Sequence, residues 1–216
     1  MVHVTRMVTM VNKDLSRATT RMRASDRRRQ LLDVATNVFA ERGFSATIMD
    51  DIAYAGGITK PVLYQHFDSK RALYIAVLED GGARLIESIS LATTNGETLR
   101  EQVSSGFDAY FDFVRDDEAA FRLLFTSSSK TDTDFVQVKN KVLEQFCDCV
   151  TSLVIDKIQN EERKLIAHSI IGLAESAAKY FYLKEIDSEV TVLTEKEFRS
   201  WVADLAWKGM RGISEN

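Results

Sequence analysis

The sequence predicts an all-α fold: a small N-terminal helical unit followed by a larger helical bundle. Three observations carry that expectation. The 216 residues include one proline and ten glycines, so few positions interrupt a helix. Apolar residues make up 45% of the chain, enough for a buried core. In segment after segment they recur at the 3.6-residue period of a helix face.

Residues 1–24 show no such period and carry Arg6, Lys13, Arg17, Arg21 and Arg23, so a disordered basic arm is expected. Ser25 is placed to cap the first helix, residues 27–42, whose stripe is Leu31, Leu32, Val34, Ala35, Val38 and Phe39. Gly43 closes it as a C-cap, and Phe44 folds back on the core. Thr47 is expected to cap the next helix, with Asp50 as the acid of a near capping box. Ile48, Ile52 and Ala55 follow at helical spacing, and Gly56-Gly57 end the helix. Ile58 anchors the turn. Thr59 caps a short second helix with Lys60 and Pro61 in its first turn, where the missing proline N–H costs nothing. Val62, Leu63 and Phe67 face inward, leaving Thr59, Lys60, Pro61, Tyr64 and Gln65 outside. Helix, glycine turn and helix form a helix-turn-helix, whose second helix enters the DNA major groove.

Ser69 caps a long helix through Leu73, Val77, Leu78, Leu85, Ile86 and Ile89. Gly81-Gly82 inside it reads either as a break or as a hinge. Asn95-Gly96 marks a turn. Further helices are expected over residues 97–115, 118–125, 135–158, 160–183 and 195–210, with a polar loop at 127–133 and another loop at 184–194. This divides the chain into the arm (1–24), a DNA-binding domain (25–70) and a C-terminal domain for ligand binding and dimerisation (71–216).

The net charge of −4 conceals an asymmetry. Residues 1–30 hold eight Lys/Arg against two Asp/Glu, whereas residues 31–216 hold twenty against thirty. A basic leading segment on an acidic body is a localised footprint for phosphate, although a solvated tail has the same composition. No apolar run approaches the ~20 residues that span a bilayer, and the N-terminus lacks an apolar signal core. A cytoplasmic location with no membrane partner is expected. Cys147 and Cys149, two residues apart on a helix, point to different sides and are not expected to pair.

The run from Arg27 to Asp80 resembles the DNA-binding domain of the TetR family of bacterial regulators. The matching marks are Val38-Phe39-Ala40 with Gly43-Phe44, Thr47, Ile52-Ala53, Ala55-Gly56-Gly57-Ile58, Leu63-Tyr64, His66-Phe67, Ser69-Lys70 and Leu73. Ile58 stands where the family more often has valine. The resemblance implies phosphate contacts from Thr47, Tyr64, His66 and Lys70, and base contacts from Thr59, Lys60 and Pro61, with Arg21 and Arg23 of the arm adding charge. Residues 109–125, with the ending 205–213, resemble one branch of that family, the actinobacterial regulators of fatty-acid synthesis that respond to long-chain acyl-CoA.

A catalytic reading fails on inventory. His3, His66 and His168 have no Cys, Asp or Glu at metal-ligand spacing, and there is no nucleophile elbow or phosphate loop. His168 is expected to be a packing residue and Cys147 a core residue without thiolate activation. No enzyme and no cofactor are expected. The aromatic cluster Phe107, Tyr110, Phe111, Phe121, Phe125 and Phe146 reads as ordinary core or as the wall of an apolar effector pocket. The expected function is an operator-binding repressor modulated by an apolar small molecule such as long-chain acyl-CoA. An activator, or an architectural DNA-binding protein without effector, is the alternative. A homodimer through residues 160–183 and 195–213, on a near-palindromic site, completes the reading, because Ala174, Ala177, Ala178, Ala206 and Gly209 allow close helix approach.

Overall fold

A computed structural model describes residues 24–126, 132–152, 160–183 and 193–214, all of them helices and their connections. The basic arm with Arg21 and Arg23, most of the 127–133 loop and most of the 184–194 loop lie outside the described residues.

Helix α1 (Ala24–Ala46) kinks at Gly43, which takes a positive φ of 77° that a side chain would strain. Helices α2 (Met49–Ala55) and α3 (Lys60–Tyr64) follow, joined by a turn in which Gly57 also has positive φ, 61°. The capping of α2 is displaced by one residue from the sequence expectation. Ile48 is the N-cap, and the Asp51 carboxylate, not that of Asp50, accepts from the Ile48 amide at 3.0 Å. Thr47 is fully buried, and its hydroxyl donates to the Gly43 carbonyl at 2.7 Å. The Gly43 carbonyl thus accepts both the threonine amide, at 3.3 Å, and the threonine hydroxyl, which holds the side chain inward and leaves the capping position to Ile48. Thr59 is the N-cap of α3 in extended backbone, and Pro61 sits in the first turn.

Helix α4 (Lys70–Thr94) begins with Ser69, whose hydroxyl accepts from the Ala72 amide at 3.0 Å. It runs unbroken through Gly81-Gly82, so the break is excluded. The glycines answer to close packing. A Cβ on Gly82 would stand 2.6 Å from both γ-carbons of Val142, and one on Gly81 would stand 3.3 Å from Ala120. Helix α5 (Leu99–Asp116) starts with a Thr98/Glu101 capping box. The short α6 (Glu118–Phe121) opens into one π turn, Arg122–Thr126. Helices α7 (Thr133–Ser152), α8 (Asn160–Phe181) and α9 (Glu195–Ser214) complete the bundle.

The packing of the N-terminal helices continues into α4. Their core joins Leu31, Ala35 and Phe39 of α1 to Ile52, Leu63, Leu73 and Tyr74, and the last two belong to α4. Tyr74 meets the Phe39 ring edge-on at 4.9 Å, and Phe135 of α7 sits against Tyr74 at 4.6 Å and Phe44 at 4.7 Å. Ion pairs span the same seam: Arg29 of α1 to Asp80 at 2.7 Å, Asp80 to Arg84 at 2.9 Å, and Arg84 to Asp117. Arg71 grips Asp132 at 2.7 Å, and its guanidinium lies 4.9 Å from the Phe135 ring centroid.

Candidate nucleic-acid interface and effector cavity

The leading end of α3 presents Thr59, Lys60, Pro61 and Tyr64 to solvent, because Leu63 and Phe67 are drawn into the core on the opposite side. Lys60 is tied in place: its ammonium donates to Asp50 of α2 at 2.8 Å, and that bond raises its pKa above the ordinary lysine value. An acid therefore stands beside the recognition helix. His66 is half-buried beside Phe67.

Two residues taken for phosphate contacts have inward roles. Buried Thr47 has no hydroxyl to offer a phosphate. Lys70 donates to the carbonyls of Phe44 at 2.8 Å and Thr47 at 2.7 Å, with its ammonium 4.4 Å from the Phe44 ring centroid. It staples α4 to the kinked end of α1. Two other side chains come forward instead. Tyr54 is 89% exposed on α2, and Arg28 of α1 lies 4.9 Å from the Phe67 ring centroid, which brings a cation beside the end of α3. Both were visible as residues off the buried stripe of their helices, but periodicity alone does not say which outward face meets a partner.

Within the bundle, α4, α5, α7, α8 and α9 line a partly open cavity of about 50 Å³. Phe107 and Tyr110 of α5, Phe146 and Val150 of α7, Ile171 of α8 and Met210 of α9 form much of its wall. Phe111, Phe121 and Phe125 do not reach it. Phe111 is buried against Phe198, with centroids 5.0 Å apart, and Phe121 packs between Tyr110 and Phe125 at 6.1 and 5.1 Å. The residues with polar groups among its lining are Tyr110 and Gln102, whose amide already donates to the Gly96 carbonyl at 3.1 Å. Burial pushes the Tyr110 phenol well above its ordinary pKa, with Glu175 adding to the effect.

His168 is exposed rather than packed, with both ring nitrogens 3.5 Å from the Cys147 sulfur. Burial raises the Cys147 thiol above its usual pKa, which disfavours the thiolate. Among the described residues no three His, Cys, Asp or Glu side chains cluster to hold a metal, and no helix is long and apolar enough to cross a membrane.

A short outward-facing helix on a glycine turn, carried by a helical bundle, defines a helix-turn-helix DNA-binding protein. Comparison with known proteins narrows the class. The family model described as bacterial regulatory proteins of the tetR family matches residues 31–77. The chain is 32% identical over 198 residues to the transcriptional activator FasR of Mycolicibacterium smegmatis, covering 89% of this chain and 87% of that one. It is 35% identical over 134 residues to the transcriptional repressor KstR2 of Rhodococcus jostii, covering 56% and 65%. The chain thus belongs to the TetR family of transcriptional regulators. Among solved structures, a TetR-like regulator from Rhodococcus sp. RHA1 is 27% identical, with a TM-score of 0.70 over 89% of this chain and 100% of that one. The regulator FadR from Bacillus subtilis, in complex with stearoyl-CoA, shares the fold at 17% identity, with a TM-score of 0.68 over 82% and 96%.

Proposed function

We propose that this protein is a homodimeric regulator whose grip on a near-palindromic operator is set by long-chain acyl-CoA held in the bundle. The observation that carries the reading is the apolar cavity itself, walled in part by α4, the helix whose first turns complete the DNA-binding unit. The similarity to FasR supports it, as does the shared fold of FadR in complex with stearoyl-CoA.

Magnitudes suggest how occupancy reaches the DNA. Ligand pockets run to roughly 300–1,000 Å³. A space of about 50 Å³ must widen to take a long chain, and each buried CH₂ contributes about 0.8 kcal/mol towards that. Widening displaces α4, and with it Lys70, Leu73 and the recognition helix. Binding shifts the equilibrium only by the difference in affinity between the two arrangements. Relatives carry both signs of regulation in their names, and the position of an operator relative to its promoter decides between them.

The dimer reading needs one revision. Ala174, Ala178 and Ala206 are buried in the subunit's own core, so they are not the close-approach residues. The outward stripe is Leu165, Gly172 and Tyr180 on α8, with Trp201, Leu205 and Gly209 on α9. Leu165, Trp201 and Leu205 are each at least 60% exposed, and a Cβ on Gly172 or Gly209 would meet nothing within 4 Å. An apolar stripe with small residues suits a two-fold four-helix contact.

The test is operator binding by the full-length protein, titrated with saturated acyl-CoA of increasing chain length. DNA affinity should shift progressively with chain length. Lys60→Ala should weaken operator binding about tenfold, and Leu205→Glu should yield monomers by light scattering. Indifference of DNA affinity to chain length sinks the acyl reading and favours an architectural protein. A dimer that survives Leu205→Glu moves the interface elsewhere.

A further inference from the structure

Tyr110 is buried to 2% exposure, and its hydroxyl has no hydrogen-bond partner among the described residues. Its ring forms part of the cavity wall. The ring is stacked on Phe146 at 6.0 Å and flanked edge-on by Phe111 at 5.6 Å and Phe121 at 6.1 Å, so aromatic neighbours surround it. Gln102, the other polar lining residue, is engaged by the Gly96 carbonyl and does not supply a partner. Buried hydroxyls nearly always have partners, and an unmade bond in a dry site is costly. A plain hydrocarbon filling the cavity would leave this hydroxyl unsatisfied.

We infer that Tyr110 donates a hydrogen bond to the neutral carbonyl oxygen of a bound acyl group, making it a specificity-determining residue of the effector site. The inference rests on the acyl-CoA reading and deepens it. A carbonyl, as in a thioester or ester, accepts one hydrogen bond without bringing charge into the cavity. A free carboxylate is a poor fit for two reasons. None of the residues lining the cavity is cationic, and the nearby titratable group that acts on the phenol is the Glu175 carboxylate, itself paired with Lys179 at 2.5 Å. A carboxylate would be buried in a lining without a cation, and Lys179 is already engaged by Glu175. The site therefore favours an activated or esterified acyl chain over the free fatty acid.

Calorimetric titration of the full-length protein and its Tyr110→Phe variant tests this, because the substitution keeps the packed ring and removes only the hydroxyl. The probes are palmitoyl-CoA, its thioether analogue S-hexadecyl-CoA, which lacks the carbonyl oxygen, and palmitate, all below their micellar concentrations. Tyr110→Phe should bind palmitoyl-CoA about threefold to tenfold more weakly, the worth of one net hydrogen bond, and should bind the thioether as the unmodified protein does. The unmodified protein should prefer palmitoyl-CoA to palmitate. Equal losses for thioester and thioether, or no loss for either, overturn the role of Tyr110 while leaving acyl-CoA as effector. Palmitate bound as tightly as palmitoyl-CoA overturns the preference for a neutral carbonyl. If the unmodified protein binds neither CoA derivative, both this inference and the acyl-CoA reading fall.

Discussion

The helix-turn-helix unit and the bundle behind it are held together by different means. In the unit, single polar side chains fix the backbone at defined atoms: the Thr47 hydroxyl on the Gly43 carbonyl, the Asp51 carboxylate on the Ile48 amide, the Lys70 ammonium on two carbonyls. In the bundle, apolar rings and branched chains fill space, and the chief constraints are on volume, as where Gly82 meets Val142. The difference teaches that one region has its backbone pinned atom by atom while the other is held by the filling of space.

The largest effect is expected where the two regions meet. Phe135→Ala removes the ring that packs against both Phe44 and Tyr74, and should cost about 3–5 kcal/mol in urea unfolding. If the seam is what couples the regions, calorimetry should also show the single transition broadening or splitting. A sharp single transition at unchanged midpoint would mean the regions are coupled elsewhere.

Next comes the volume rule of the bundle. Gly82→Ala drives a methyl into Val142 and should cost about 1–3 kcal/mol. Val142→Ala in the same chain should recover much of that loss, so the two changes should be strongly non-additive in a double-mutant cycle. Additive losses would show that Gly82 is needed for something other than space.

The smallest effect sharpens the polar side of the comparison. Thr47→Val keeps the shape of the side chain and removes one buried hydrogen bond to Gly43, for an expected cost of about 1 kcal/mol in urea unfolding. Operator affinity should change little, because the hydroxyl is spent inside the protein. A loss of DNA binding without loss of stability would restore Thr47 as a DNA contact.

Legibility in the sequence divides along the same line. The helix-turn-helix could be read because its geometry demands particular residue types: glycine at Gly57 for a positive φ, proline in the first turn of α3, serine as the cap of α4. The errors in the capping of α2 were of one residue, at Thr47 and Asp51, and arose because the Thr47 hydroxyl bonds back to the Gly43 carbonyl, a choice of partner that residue type alone does not reveal. In the bundle the helices could be read but their partners could not. Periodicity placed Phe107, Phe111 and Phe121 on inward faces. It could not say that Phe107 meets the cavity while Phe111 meets Phe198 and Phe121 meets Tyr110. It marked small residues on α8 without revealing that Ala174 faces inward and Gly172 outward. The glycine pair of α4 looked like punctuation because its reason, Val142, lies sixty residues away.

Helix α4 serves two masters, and that has a consequence for anyone who would rewire this protein. Its first turns belong to the DNA-binding unit through Lys70, Leu73 and Tyr74, and its later turns belong to the bundle, the proposed sensor, through Leu85 and Ile89. No break in the helix separates the two, so unit and bundle share one continuous axle. A chimera that grafts this unit onto another sensor must be spliced inside the helix, beyond Val77, and in phase. Each residue gained or lost at the splice would rotate the unit by about 100° around the axle and lengthen it by about 1.5 Å. Insertions of one or two residues should therefore uncouple sensing from DNA binding, whereas seven, close to two full turns, should largely restore the original facing.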